Sequence, residues 1–177
     1  MFYIRDMKRT NVLYILLLLL IISCTQTINF NENEEYFTET NKITYYKGSP
    51  FTGVVERYYD NGQLWVKTTY KDGKEDGPYE SYYKNGQLRW KSTYKDGEYD
   101  GLFESYYENG QLRWKTTYKD GKRDGPAEWY YENGQLETKE AYKDGERDGL
   151  FEYYYENGQL RWKTTYKDGE CISGDCL

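Results

Sequence analysis

At 177 residues, with 37% hydrophobic and 31% charged side chains, the chain is too polar for a thick two-layer core, yet 19% aromatic content with 23 Tyr excludes a disordered polymer. A net charge of −6 argues against nucleic acid and against direct adhesion to anionic lipid, since both need a basic footprint. The absence of His removes the commonest general base, the usual metal ligand and the physiological-pH switch.

At the front, Arg5, Lys8 and Arg9 precede an apolar run from Val12 to Ile22, and Ser23 and Cys24 follow. Eleven apolar residues are too few for a bilayer-spanning helix, which needs about 18 or more, but they fit the core of an export signal. Ile21-Ile22-Ser23-Cys24 resembles the bacterial lipobox. That resemblance implies removal of a signal helix (residues 1–23) and acylation of Cys24, so the chain is expected to be exported and lipid-anchored to the cell envelope. More than one acyl chain makes such an anchor stable. Thr25 stands where an Asp commonly signals inner-membrane retention, which favours the outer membrane for a Gram-negative host. Residues 24–42 continue as the lipidated Cys and a polar, acidic stretch without clear period, read as a flexible tether. Fully extended, residues 25–40 would reach about 55 Å.

From Ile43 onward the sequence repeats. Tyr-Tyr-x-Asn-Gly-Gln-Leu recurs at 58–64, 82–88, 106–112, 130–136 and 154–160, always 24 residues apart. Tyr-Lys-Asp-Gly recurs at 70–73, 94–97, 118–121, 142–145 and 166–169, and Asp-Gly closes the first four units at 76–77, 100–101, 124–125 and 148–149. Residues 43–170 therefore form a partial first unit and five full units, followed by a tail at 171–177.

Each unit holds two strand-length runs around Asn-Gly, the strongest short hairpin signal. A two-residue type I′ loop at Asn109-Gly110 sets Tyr107 against Leu112, Tyr106 against Arg113, Ser105 against Trp114, Glu104 against Lys115 and Phe103 against Thr116. Strand alternation then sorts Phe103, Ser105, Tyr107, Leu112, Trp114, Thr116 and Tyr118 onto one face, and Glu104, Tyr106, Arg113 and Lys115 onto the other. The repeats support this register. Ser81 and Ser105 oppose Trp90 and Trp114, whereas Trp129 opposes Thr138, so one large ring is kept per pair while its strand changes; Tyr153 opposite Trp162 breaks the rule. Pro78 and Pro126 follow the closing Gly, as first strand residues whose missing N–H is tolerated. The expected fold is all-β: a single-layer antiparallel β-meander solenoid rising roughly 10 Å per unit.

These three markers resemble the MORN (membrane occupation and recognition nexus) repeat in its bacterial variant, over about residues 43–170. The resemblance implies a single-layered twisted sheet that serves, without enzymatic activity, as a protein-binding or scaffold module. It also implies an antitoxin role in a toxin–antitoxin pair, with which a lipobox sits awkwardly unless the protein confers immunity in the envelope.

Several residues are candidate sites. Tyr58, Tyr82, Tyr106, Tyr130 and Tyr154 fall on the polar face in every unit, beside Arg89, Arg113 and Arg161. Exposed Tyr with Arg suits recognition of a protein or a cell-wall glycan; strand formation with Tyr–Arg packing explains the same residues without a partner. The Asp-Gly-x-x-Asp-Gly segments, such as Asp96 to Gly101, lack the spacing of an EF-hand or a calcium β-roll, so no metal is expected. Cys171 and Cys176 could form a terminal disulfide in an oxidising compartment. No nucleophile–base pair or phosphate-cradling loop stands out, so neither a catalytic residue nor a cofactor is expected. Exposed terminal strands could pair edge to edge, which leaves self-association open.

Overall fold

A computed structural model describes residues 25–176. Cys24 and the expected export signal lie outside the described residues. The elements run β1 (Thr27–Asn29), α1 (Phe30–Asn33), a 3-10 turn (Glu34–Tyr36), β2 (Phe37–Thr40), β3 (Ile43–Tyr46), β4 (Ser49–Pro50), β5 (Gly53–Tyr58), β6 (Leu64–Lys71), β7 (Lys74–Tyr82) and β8 (Leu88–Lys95). Then follow β9 (Glu98–Tyr99), β10 (Gly101–Tyr106), β11 (Leu112–Lys119), β12 (Lys122–Tyr130), β13 (Leu136–Lys143), β14 (Glu146–Arg147), β15 (Gly149–Tyr154), β16 (Leu160–Lys167) and β17 (Glu170–Gly174). From β5 onward, neighbouring strands pair antiparallel, with the short β9 and β14 on β8 and β13, and β1, added in parallel at the front edge, completes one open sheet of 14 strands. The all-β meander of stacked hairpins is the observed fold.

The type I′ turn of each unit lies at the Asp-Gly end and not at Asn-Gly, where the sequence suggested it. The Asn-Gly loop is a three-residue loop: Gly110 N–H donates to the Tyr107 carbonyl and Tyr107 N–H to the Gln111 carbonyl, both at 2.9 Å. Gly110 has φ +85° while Asn109 is absent from the positive-φ residues, and the Asn109 side chain accepts from Gln111 N–H at 2.9 Å. That is a type I turn closed by a Gly bulge, and the type I′ expectation is overturned there. The type I′ turn lies at the other end, where Asp120 (φ +47°) and Gly121 (φ +75°) join the paired Lys119 and Lys122.

The extra loop residue shifts the register by one, so Tyr106 pairs with Leu112, not Arg113, and Tyr107 does not face Leu112. A bulge at Arg113 then restores the count, and Ser105↔Trp114, Glu104↔Lys115 and Phe103↔Thr116 pair as expected. Pro78 and Pro126 are likewise not first strand residues. Each lies inside a nine-residue strand at a second bulge, where Thr69 faces the Asp76-Gly77-Pro78 segment, a position that does not need the missing N–H.

Units are stapled along both margins of the ribbon. On one side the Tyr107 hydroxyl donates to the Tyr130 carbonyl of the next unit at 2.8 Å, and Asn109 Nδ2 to the Glu132 carbonyl at 3.4 Å. On the other, Gly121 N–H donates to the Tyr99 carbonyl of the preceding unit at 2.9 Å. The 24-residue period is thus a hydrogen-bond period as well as a packing one.

The expected tether is ordered from Thr27 onward. Ile28, Phe51 and Val55 are buried together, with Phe30, Phe37, Tyr46 and Tyr70 packed against them. A small sheet of β2, β3 and β4 completes this front cap. Asn31 brackets Tyr58, accepting from its N–H at 2.9 Å and donating to its carbonyl at 3.0 Å, the carbonyl that a preceding unit's Tyr hydroxyl would otherwise claim. At the far end, Cys171 and Cys176 are joined in a disulfide with Cα atoms 5.8 Å apart, beside Thr164.

Candidate functional site

The two faces of the ribbon differ in chemistry. On the first, a cross-strand row runs Arg57, Val66, Ser81, Trp90, Ser105, Trp114, Trp129, Thr138, Tyr153, Trp162, each directly opposite the next. Small residues sit beneath the rings: Ser81 and Ala127 are fully covered, and Thr116 is 1% exposed. Neighbouring rings lie nearly parallel, Tyr79 on Trp90 at 5.9 Å, Trp114 on Trp129 at 5.5 Å and Tyr153 on Trp162 at 5.9 Å. A cavity of about 310 Å³ opens in this face around Ser105, walled by Trp90, Phe103, Trp114 and Trp129 and rimmed by Arg89 and Arg113.

The second face carries the Tyr series expected to meet a partner, and its hydroxyls point inward to the sheet. Tyr82 donates to Glu80 at 2.9 Å, Tyr106 to Glu104 at 3.0 Å, and Tyr130 to Glu128 at 2.5 Å. Tyr58 donates to Glu56 at 2.7 Å. Burial, reinforced by the Glu80 hydrogen bond, pushes Tyr82 up to about 12. Lys91 reaches Glu104 at 2.6 Å and Lys115 reaches Glu128 at 2.7 Å, so this face is an internally satisfied Tyr–Glu–Lys ladder. Exposed pairs of this kind contribute at most about 1 kcal/mol each.

Arg89, Arg113 and Arg161 do not sit beside that Tyr series. They are the bulged residues, and the bulge turns them onto the other ring of each Tyr-Tyr pair. Arg89 lies 5.8 Å from Tyr83 and 4.8 Å from Trp90, Arg113 5.7 Å from Tyr107, and Arg161 5.4 Å from Tyr155 and 5.3 Å from Tyr153. The arginines therefore belong to the aromatic face. Sequence reasoning missed this because a bulge leaves no compositional mark, although the Ser105–Trp114 pairing already marked the shared volume.

A polar site also went unnoticed. Glu140 takes the place held by Thr68, Ser92, Thr116 and Thr164 in the other units and is 9% exposed. Tyr142 donates to it at 2.6 Å, and Arg123 Nη1 donates to the Tyr142 hydroxyl at 3.2 Å. Burial raises the Glu140 carboxyl, with Tyr142, Arg147 and Arg123 pulling the other way. Lone acidic residues in a Thr series were the available signal. Among the described residues no group of three or more His, Cys, Asp or Glu side chains could hold a metal ion, and no helix is long and apolar enough to cross a membrane.

Among solved structures, a GtfA/B complex bound to UDP and GlcNAc aligns at 17% identity and TM-score 0.26, over 81% of this chain and 27% of its own. A mutant of S. aureus TarM in complex with fondaparinux, α-GlcNAc-glycerol and UDP aligns at 9% identity and TM-score 0.32, over 82% and 24%. The chain thus spans about a quarter of the length of either structure. No curated protein matches the sequence. The model of the MORN repeat variant matches residues 51–72, 75–96, 99–120, 123–144 and 147–168, more than half of the chain. With five matched units that coincide with five stacked hairpins, the chain belongs to the MORN repeat variant family.

Proposed function

We propose that the protein is a non-enzymatic envelope lipoprotein, held to the membrane through Cys24, whose repeat ribbon binds a protein partner on its aromatic face. The observation that carries the reading is the open basin around Ser105, lined by indole rings and rimmed by two arginines. The ordered front cap supports a body held close to its anchor, since only Thr25 and Gln26 separate Cys24 from β1. Aromatic and Arg side chains are the residues that anchor protein interfaces.

The test is crosslinking in the native cell, with the wild-type chain and an Arg89→Glu, Arg113→Glu variant compared. One envelope protein should be recovered from the membrane fraction, at least roughly tenfold less with the variant, since two opposed charges at an interface cost more than about 1.4 kcal/mol. Recovery of peptidoglycan fragments alone would favour a glycan binder, and a cytoplasmic toxin would favour the antitoxin role. Cys24→Ala should release the chain from membranes; retention would remove the anchor from the account.

A further inference from the structure

The row position occupied by Arg57, Ser81, Ser105, Trp129 and Tyr153 shows what fills the basin when the chain supplies it. In the last unit Tyr153 lies flat on Trp162 at 11°, with the Arg161 guanidinium 5.3 Å above its ring. In the fourth unit Trp129 lies flat on Trp114 at 15°. In the third unit the same position is Ser105, and the cavity opens there. Trp90 and Trp114 flank Ser105 from the strands on either side, about 10 Å apart at the strand spacing of a sheet, which leaves room for one flat ring between them. Neither Arg89 nor Arg113 forms an ion pair with a carboxylate among the described residues.

We propose that the vacancy over Ser105 receives one aromatic side chain of the partner, with Arg89 and Arg113 taking an acidic residue beside it. The inference rests on the protein-binding reading and names the chemistry of its site. The ring would stack on indole as Tyr153 does on Trp162 within the chain, an arrangement that stabilises beyond the burial of the rings. The cations select a flanking carboxylate, the charge that the acidic remainder of the protein would otherwise repel.

The full-length chain in lipid nanodiscs, carrying 5-fluorotryptophan at its five Trp positions, gives one fluorine signal per indole, assigned by single Trp→Phe variants. The probe is N-acetyl-Tyr-Glu-amide, titrated beside N-acetyl-Leu-Glu-amide and N-acetylglucosamine. The Tyr probe should move the Trp90 and Trp114 signals and leave Trp65 and Trp162 in place. Ser105→Tyr, which copies the last unit, should abolish the response with an unchanged far-ultraviolet spectrum, and Arg113→Gln should weaken it roughly fivefold, about 1 kcal/mol. An unmoved Trp90–Trp114 pair, an equal response to the Leu probe, a sugar that outcompetes the phenol, or a response that survives Ser105→Tyr would each overturn the proposal. A cellular partner still crosslinked to Ser105→Tyr would also overturn it while the protein-binding function stood. The Tyr response without any cellular partner would uphold the receptor and sink that function.

Discussion

The stacking of units makes one substitution its own control. Tyr59, Tyr83, Tyr107 and Tyr131 each donate a hydroxyl to a backbone carbonyl one unit ahead, at 2.8 Å in every case. Tyr155 holds the same place in the last unit, is 48% exposed, and its hydroxyl makes no hydrogen bond among the described residues. Replacing Tyr107 by Phe removes one part-buried hydrogen bond and keeps the ring against Arg113, so the cost is about 1 kcal/mol. Tyr155→Phe loses nothing of the kind and should stay within about 0.5 kcal/mol of the parent. The sites lie far enough apart that Tyr83→Phe with Tyr131→Phe should add to about 2 kcal/mol. Urea unfolding followed by circular dichroism, with a slope near 2 kcal/mol per molar, would show midpoint shifts of about 0.5 M, 0 and 1 M for Tyr107→Phe, Tyr155→Phe and the pair. Equal costs at Tyr107 and Tyr155 would show that the hydroxyl acts through something other than the next unit, and the account of unit stacking would fail.

Glu140 and the terminal disulfide give two more predictions. Burial raises the Glu140 carboxyl above its unfolded value, so the folded chain holds this proton more tightly and its contribution to stability is full below about pH 4.5 and falls as pH rises through the folded value. Glu140→Gln keeps an acceptor for Tyr142 and should melt higher than the parent at pH 7, with the gap closing by about pH 4; a variant that melts lower at pH 7 would show the Arg123–Tyr142–Glu140 network to be net stabilising. Reduction of the Cys171–Cys176 bridge, five residues apart in sequence, should cost about 2 kcal/mol by loop closure, seen as faster amide exchange confined to β16 and β17. Exchange that quickens throughout the repeats would contradict units that interact only with their neighbours.

What the sequence disclosed and what it hid divide along one physical line. Side-chain alternation across a strand is written in residue type, so Phe103, Ser105, Trp114 and Thr116 could be placed on one face and paired correctly. Backbone irregularity is written only in φ, and Asn-Gly and Asp-Gly look alike as turn formers. The loop at Asn109-Gly110 and the bulge at Arg113 each shift the register by one, in opposite senses, so an incorrect turn still led to a correct pairing in the strand interior. The error survived only between those two features, where it displaced Tyr106 and Arg113. That short stretch decides which face the arginines serve, and it is why the Tyr series and the Arg series were assigned to one surface.

The front cap was hidden for a related reason. Ile28, Phe30 and Phe37 are spread among polar residues with neither helical nor strand period, because they bury in one cluster with each other and with Tyr46, Phe51, Val55 and Tyr70 further along the chain. A repeat ribbon exposes unpaired backbone wherever the repetition starts, and some other segment must satisfy it. Asn31 does so with one side chain, supplying to Tyr58 both a donor and an acceptor. The same reasoning separates the two faces by function. The Tyr–Glu–Lys ladder closes its hydrogen bonds within the sheet, so a partner there would have to displace bonds already made. On the aromatic face the indoles of Trp90 and Trp114 lack hydrogen-bond partners and the arginines lack carboxylates among the described residues, so a bound ring and acid would break nothing. Regular units build the ribbon; of the two Ser in the row, Ser81 lies between Val66 and Trp90 and is fully covered, whereas Ser105 lies between two indoles and sets where the ribbon can bind.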